Sequence, residues 1–242
     1  MPKLEEMIKN KISGSTFGYS AVKPEKLEAS EYTLVNIIVD KSGSVSPFEN
    51  ELSEAVSTVI GSCKKNPRVE NILVRVVYFN HELEEVHGFR AVADLVDTYY
   101  TVRAGGGTAL FDAAYEAIGS TIDYANILTN DHFMDVNCVN FLISDGEDRH
   151  SKLNVSAVRN KVDEVTQNEE LSGTIFTILI GVNDTQCASA LQKFKDEAGL
   201  DHYLSMGDAT PENLAKLAQF VNKSISSASQ SLASGTSIDL TF

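Results

Sequence analysis

The sequence predicts an α/β fold, in which a doubly wound and mostly parallel central sheet is flanked by helices on both faces. Three observations predict it. Strand-like and helical runs alternate along the chain, as in successive βα units. The strand-like runs at Tyr32–Asp40, Ile72–Asn80, Val136–Ser144 and Thr174–Gly181 are rich in Val, Ile, Leu and Phe. They show little polar alternation, as expected of strands covered on both sides. Polar segments rich in Gly, Ser and Asp follow the first and third runs, where an open α/β sheet places its ligand site.

Taken in chain order, residues 1–30 form an amino-terminal extension with one helix expected near Leu4–Lys11. After the first strand, Ser46, Pro47 and Glu49 read as an N-cap, a proline at the first helical position and a capping-box acid. Phe48, Leu52, Val56, Val59, Ile60 and Cys63 then recur at helical spacing. A weaker run at Leu83–Phe89 pairs back on the second strand through a turn near Asn80 and His81. Further helices are expected at Ala109 to about Ala125, Asn154 to Gln167, Thr185 to Ala198 and Pro211 to Ile225, with a short edge strand at His202–Leu204. The domain occupies residues 31–224, and residues 225–242 form a Ser-rich tail. No internal repeat is visible.

At 242 residues, with 43% hydrophobic and 22% charged residues, the chain is long enough to bury a sizeable core without staples. No apolar run approaches the roughly 20 residues of a membrane span. The amino terminus mixes acids and lysines where an export signal would be apolar, so a cytoplasmic location is expected. Cys63, Cys138 and Cys187 are read as reduced. A formal charge of −14 argues against sequence-independent binding of nucleic acid, which needs basic patches. The one basic cluster, Lys64, Lys65 and Arg68, reads as the solvated end of a helix.

Chemistry concentrates in three loops. The first strand ends at Asp40 and enters Lys41, Ser42, Gly43, Ser44; the third ends at Ser144 and enters Asp145, Gly146, Glu147, Asp148. Two carboxylates aimed at one place repel unless a proton or a cation stands between them. Ser42 and Ser44, two apart around Gly43, can turn their hydroxyls to the same point, and a set of oxygens alone selects a hard ion such as Mg²⁺, Mn²⁺ or Ca²⁺ over zinc. Gly105, Gly106 and Gly107 let the backbone approach a bound group just before a helix, with Thr108 offering its hydroxyl.

Other chemistries fit less well. The Lys-Ser/Thr pair of a Walker A loop is missing, and neither a GxGxxG string nor a GxSxG elbow occurs. His81, His87, His132, His150 and His202 are scattered and lack HExxH spacing. Glu147 and Asp148 read as exposed loop acids.

DKSGS, GGGTALFDA and SDGED, in this order and in these strand contexts, resemble the three loops of the metal-ion-dependent adhesion site of von Willebrand factor A domains. The resemblance covers roughly residues 31–224. It implies a Rossmann-like fold, a divalent metal held by Asp40, Ser42, Ser44, Thr108 and Asp145, and a bracing role for Asp112. Ser42 and Ser44 would bind directly, and the other three directly or through water. It also implies a bacterial or phage intracellular setting and no enzymatic activity. The expected function is a protein-binding module whose metal captures an Asp or Glu of a partner. The rival readings are a Mg²⁺-dependent phosphotransferase of haloacid dehalogenase type, or a structural component of a phage or other assembly. The phosphotransferase needs a second aspartate where Ser42 stands.

Overall fold

A computed structural model describes residues 7–12, 15–95, 100–168 and 171–234. Eight strands form one sheet: β1 (Met7–Lys11), β2 (Gly18–Val22), β3 (Glu31–Asp40), β4 (Ile72–Phe79), β5 (Leu83–Ala91), β6 (Asp135–Ser144), β7 (Ile175–Gly181) and β8 (His202–Ser205). Their spatial order is β1-β2-β5-β4-β3-β6-β7-β8. β3 lies between β4 and β6 and pairs with both in parallel, and β6–β7 and β7–β8 are also parallel. β5 is antiparallel to β4 and β1 to β2. The winding therefore reverses at β3, which puts the carboxyl end of that strand at the crevice of a doubly wound sheet.

Five α-helices cover the sheet: α1 (Glu49–Cys63), α2 (Leu110–Asn126), α3 (Val155–Gln167), α4 (Ala188–Ala198) and α5 (Pro211–Ser234). Alternate residues of β3 serve the two faces. Val35, Ile37 and Val39 pack with Leu52, Val56 and Val59 of α1 and with Leu217 and Val221 of α5. Leu34 and Ile38 pack with Ile118 and Ile122 of α2, Val158 of α3 and Leu191 of α4. This two-sided burial explains why the strands read as unbroken apolar runs. The fold is α/β and Rossmann-like, of the von Willebrand factor A type.

Four local expectations are corrected. Met7–Lys11 is a strand and not a helix, while residues 4–6 lie outside the described residues. So short a segment cannot sustain helix in isolation, whereas β2 supplies partners for its backbone. Ser46 does not cap α1: residues Gly43–Phe48 form 3₁₀ turns, and the Glu49 carboxylate accepts from the Ala104 N–H (2.9 Å) instead of reaching back. The helix expected to end near Ile225 continues to Ser234, so the Ser-rich segment is helical that far; residues 235–242 lie outside the described residues. Small serines let this last stretch pack closely on the sheet, and Ser231 bonds both the Ala228 carbonyl (2.9 Å) and the Asn137 amide (2.7 Å). Arg68 is not solvated either. It pairs with Glu31 (2.6 Å) and donates to the Ser229 carbonyl (2.6 Å).

Candidate metal centre

The three loops meet beyond the carboxyl ends of β3 and β6, and backbone bonds lock them together. The Gly43 N–H donates to the Gly106 carbonyl (3.0 Å), and the Gly105 N–H donates to the Lys41 carbonyl (2.8 Å). Asn80, at the end of β4, grips the glycine loop from below: its side-chain amide donates to the Gly105 carbonyl (2.7 Å) and its own carbonyl accepts from Ala109 (2.7 Å). Gly106 has φ +81°, and a Cβ there would meet His81 at 2.4 Å. Only glycine takes that conformation in that space without strain. The third loop closes on the second, since the Arg149 and His150 N–H groups both donate to the Thr108 carbonyl (3.0 Å each).

Four of the five residues implicated by sequence, Ser42, Ser44, Thr108 and Asp145, line one open cavity of about 660 Å³. The Ser42 and Ser44 hydroxyls are 3.0 Å apart, and Ser44 donates to Asp145 Oδ1 (2.9 Å). The fifth, Asp40, lies beneath and is fully buried. Its Oδ1 accepts from the Ser42 N–H (2.7 Å) and its Oδ2 from the Ser144 hydroxyl (2.6 Å). Burial pushes the Asp40 carboxyl up to about 6, the Ser144 and Ser42 hydrogen bonds opposing it and the charge of Asp145 adding to it. Burial also raises Asp145, against the pull of Ser44. Among the described residues no three His, Cys, Asp or Glu side chains gather as a metal cluster. The candidate set is two carboxylates with three hydroxyls.

Asp112 braces the site as expected. Its carboxylate accepts from the Lys152 (3.1 Å) and Leu153 (2.9 Å) N–H groups, tying α2 to the loop that carries Asp145. Asp148, read as an exposed acid, instead caps α2 by accepting from the Phe111 N–H (3.2 Å) and the Ser151 hydroxyl. Sequence reasoning also missed Ser144, which hid as the last residue of a strand. It missed His150 too, whose ring sits where a Cβ on Gly107 would come within 2.2 Å.

The fold and this loop cluster together define an α/β domain with a candidate metal centre at the carboxyl edge of its sheet. No known protein family matches the sequence, and no curated protein does. Solved structures do match in fold. A D319A mutant of the PilB minor pilin from Streptococcus sanguinis superposes with TM-score 0.60 at 14% identity, over 87% of this chain and 65% of the pilin. The pilus adhesin SpaC from Lactobacillus rhamnosus GG gives 0.60 at 9% identity, over 88% of this chain and 32% of SpaC. Proximal thread matrix protein 1 from the mussel byssus, solved with a zinc-occupied metal-ion-dependent adhesion motif, gives 0.51 at 14% identity, over 81% and 46%. The chain thus spans less than two-thirds of each of these proteins.

Proposed function

We propose that the chain is a metal-dependent binding module that captures an acidic side chain of a partner protein through a divalent cation. One observation carries this: the buried carboxylate of Asp145 and the hydroxyl-bearing Ser42, Ser44 and Thr108 line one open cavity with the buried carboxylate of Asp40 directly beneath, and among the described residues neither carboxylate has a cationic side chain bonded to it. Burial raises both Asp40 and Asp145, the charge of Asp145 adds to the rise at Asp40, and a bound divalent ion would offset that cost. The donor chemistry fits a hard cation, held by Asp40, Ser42, Ser44, Thr108 and Asp145. A fold neighbour, proximal thread matrix protein 1, holds zinc in its own metal-ion-dependent adhesion motif, so zinc belongs among the ions tested. When bound, the ion supplies Lewis acidity towards an anionic oxygen, and a partner's Asp or Glu is the commonest protein source of one. This chain's own groups hold the loops in place and keep one side of the site open.

The test is calorimetric titration of the full chain with Mg²⁺, Mn²⁺, Ca²⁺ and Zn²⁺, followed by water-proton relaxation of the Mn²⁺ form with added acetate. Saturable binding at one site, lost in Asp40→Ala and Ser42→Ala, is expected, with acetate lowering the relaxation enhancement as it displaces water. Binding that survives both substitutions, or an enhancement that ignores acetate, would overturn the reading.

A further inference from the structure

The cavity is far larger than one carboxylate requires. At about 660 Å³ it lies in the range of pockets that enclose whole small ligands, roughly 300–1,000 Å³. The space beyond the hydroxyl cluster is thus large enough to take more of a partner than one carboxylate. Among the described residues that line it, Arg149 is the one arginine.

The root of Arg149 is fixed relative to the site. It lies four residues after Asp145 in the same loop, and its N–H donates to the carbonyl of Thr108, as does that of His150. The His150 ring seats against Gly107 and holds this part of the loop on the glycine segment. The guanidinium is nevertheless uncommitted. Arg68, Arg75 and Arg159 pair with carboxylates, but no acid among the described residues lies within ion-pairing distance of Arg149. Acids outnumber bases 34 to 20 in this chain, so a guanidinium left without an acid partner among the described residues stands against a negative background beside the acidic loop cluster.

We propose that Arg149 is a specificity-determining residue, a second anchor that selects a partner segment bearing two neighbouring acidic side chains. One acid occupies the site described above, on which this inference rests; the other meets the guanidinium, whose planar fork suits a carboxylate. Glu147 and Asp208 line the same cavity and repel any second acid that cannot reach Arg149. They turn a general attraction for anions into selection for spacing, because discrimination needs a repulsive element as well as an attractive one. Arg149 is solvent-exposed, so its contribution is that of a surface pair, about threefold to fivefold in affinity.

The experiment compares acetate, succinate and glutarate as probes of the Mn²⁺-loaded full chain, by relaxation enhancement and calorimetry. Expected is a preference of about threefold to fivefold for one of the dicarboxylates over acetate. In Arg149→Ala that preference collapses while Mn²⁺ and acetate affinities stay unchanged, and Arg149→Lys retains part of it. Inorganic phosphate, added as a competitor, separates a carboxylate pair from a general anion site: a dicarboxylate preference abolished by equimolar phosphate would overturn the proposal. So would a flat series in the unsubstituted chain, or a preference that persists in Arg149→Ala. Failure of Mn²⁺ to bind at all would sink the metal reading and this inference together, whereas Mn²⁺ binding with a flat series sinks only this one.

Discussion

Replacing Glu116 with Leu removes the main partner of Arg75, the most deeply buried cationic side chain among the described residues. Arg75 of β4 and Glu116 of α2 have side chains only 1% and 2% exposed. They meet through two bonds, Nη2 to Oε1 at 2.6 Å and Nη1 to Oε2 at 3.1 Å, while Arg75 Nε reaches Glu85 at 2.7 Å. Breaking such a pair from one side costs about 3–5 kcal/mol, because the remaining charge stays buried and unmatched. Total stabilities are roughly 5–15 kcal/mol, so either single variant loses a large share. The two differ in pH dependence. Burial raises the Glu116 carboxyl and Arg75 opposes it, so in Arg75→Met the carboxyl rises further above its unfolded value of about 4.3. A raised carboxyl destabilises at neutral pH and recovers as pH falls towards that value. Measured against the parent at each pH, Arg75→Met should thus recover part of its loss as pH falls from 7 towards 5, and Glu116→Leu should not. The double variant should lie within about 2 kcal/mol of the parent, since a well-packed apolar pair replaces a buried ionic one at little cost. Urea denaturation followed by circular dichroism measures all four chains. Additive single losses, or single losses below about 1 kcal/mol, would refute the reasoning.

Two further outcomes follow from packing and titration. Burial lowers His87 to about 4, its ring bonded to the Gly88 carbonyl (3.0 Å) and the Tyr100 hydroxyl (3.1 Å). Between that value and the unfolded value near 6.5 only the unfolded chain takes the proton. Stability should therefore fall as pH drops through this window, by at most about 3 kcal/mol, and His87→Gln should flatten the slope relative to the parent in urea titrations at stepped pH. Gly119→Ala gains helix propensity of about 1 kcal/mol but drives a Cβ to 2.7 Å from Ile12 Cγ2, an overpacking cost of about 1–3 kcal/mol. Net destabilisation with loss of amide-exchange protection in β1 and β2 is expected, and adding Ile12→Ala should make the two losses less than additive.

The central strands were legible because both of their faces are apolar, and the residues of the first and third loops were legible because they follow those strands directly. The rule that an open sheet gathers its ligand groups at the carboxyl edge points to Asp40, Ser42, Ser44 and Asp145, whereas Thr108 follows no core strand and was read from the glycine run ahead of α2 and from the loop resemblance. What escaped was whatever depends on a distant partner. Nothing near Glu49 shows that its carboxylate belongs to Ala104, and nothing near Asp148 shows that it caps α2. The strand at Met7–Lys11 was illegible because five residues carry no decisive period, and its pairing is set by β2 and by aromatic packing of Tyr19 with Phe89 and Tyr124.

One row of the sheet runs against its apolar character and bears on the site. Asn36 of β3 stands in register with Arg75 of β4 and Asn140 of β6, and Asn140 with Thr177 of β7. All four face α2 or connect to groups that do. Asn36 donates to the Ala117 carbonyl (3.2 Å), Thr121 donates to Asn140 (2.7 Å), Asn140 donates to Thr177 (3.1 Å) and Arg75 holds Glu116. An apolar interface alone would tolerate a slide of α2 along the sheet, but a shift by one turn, about 5.4 Å, would break the bonds of Ala117, Thr121 and Glu116 to the sheet together, while the Asn140–Thr177 bond holds its end of the row in place. α2 starts two residues after Thr108, and its Asp112 holds the loop of Asp145. The polar row therefore fixes, from inside the core, where the second and third loops stand relative to the first.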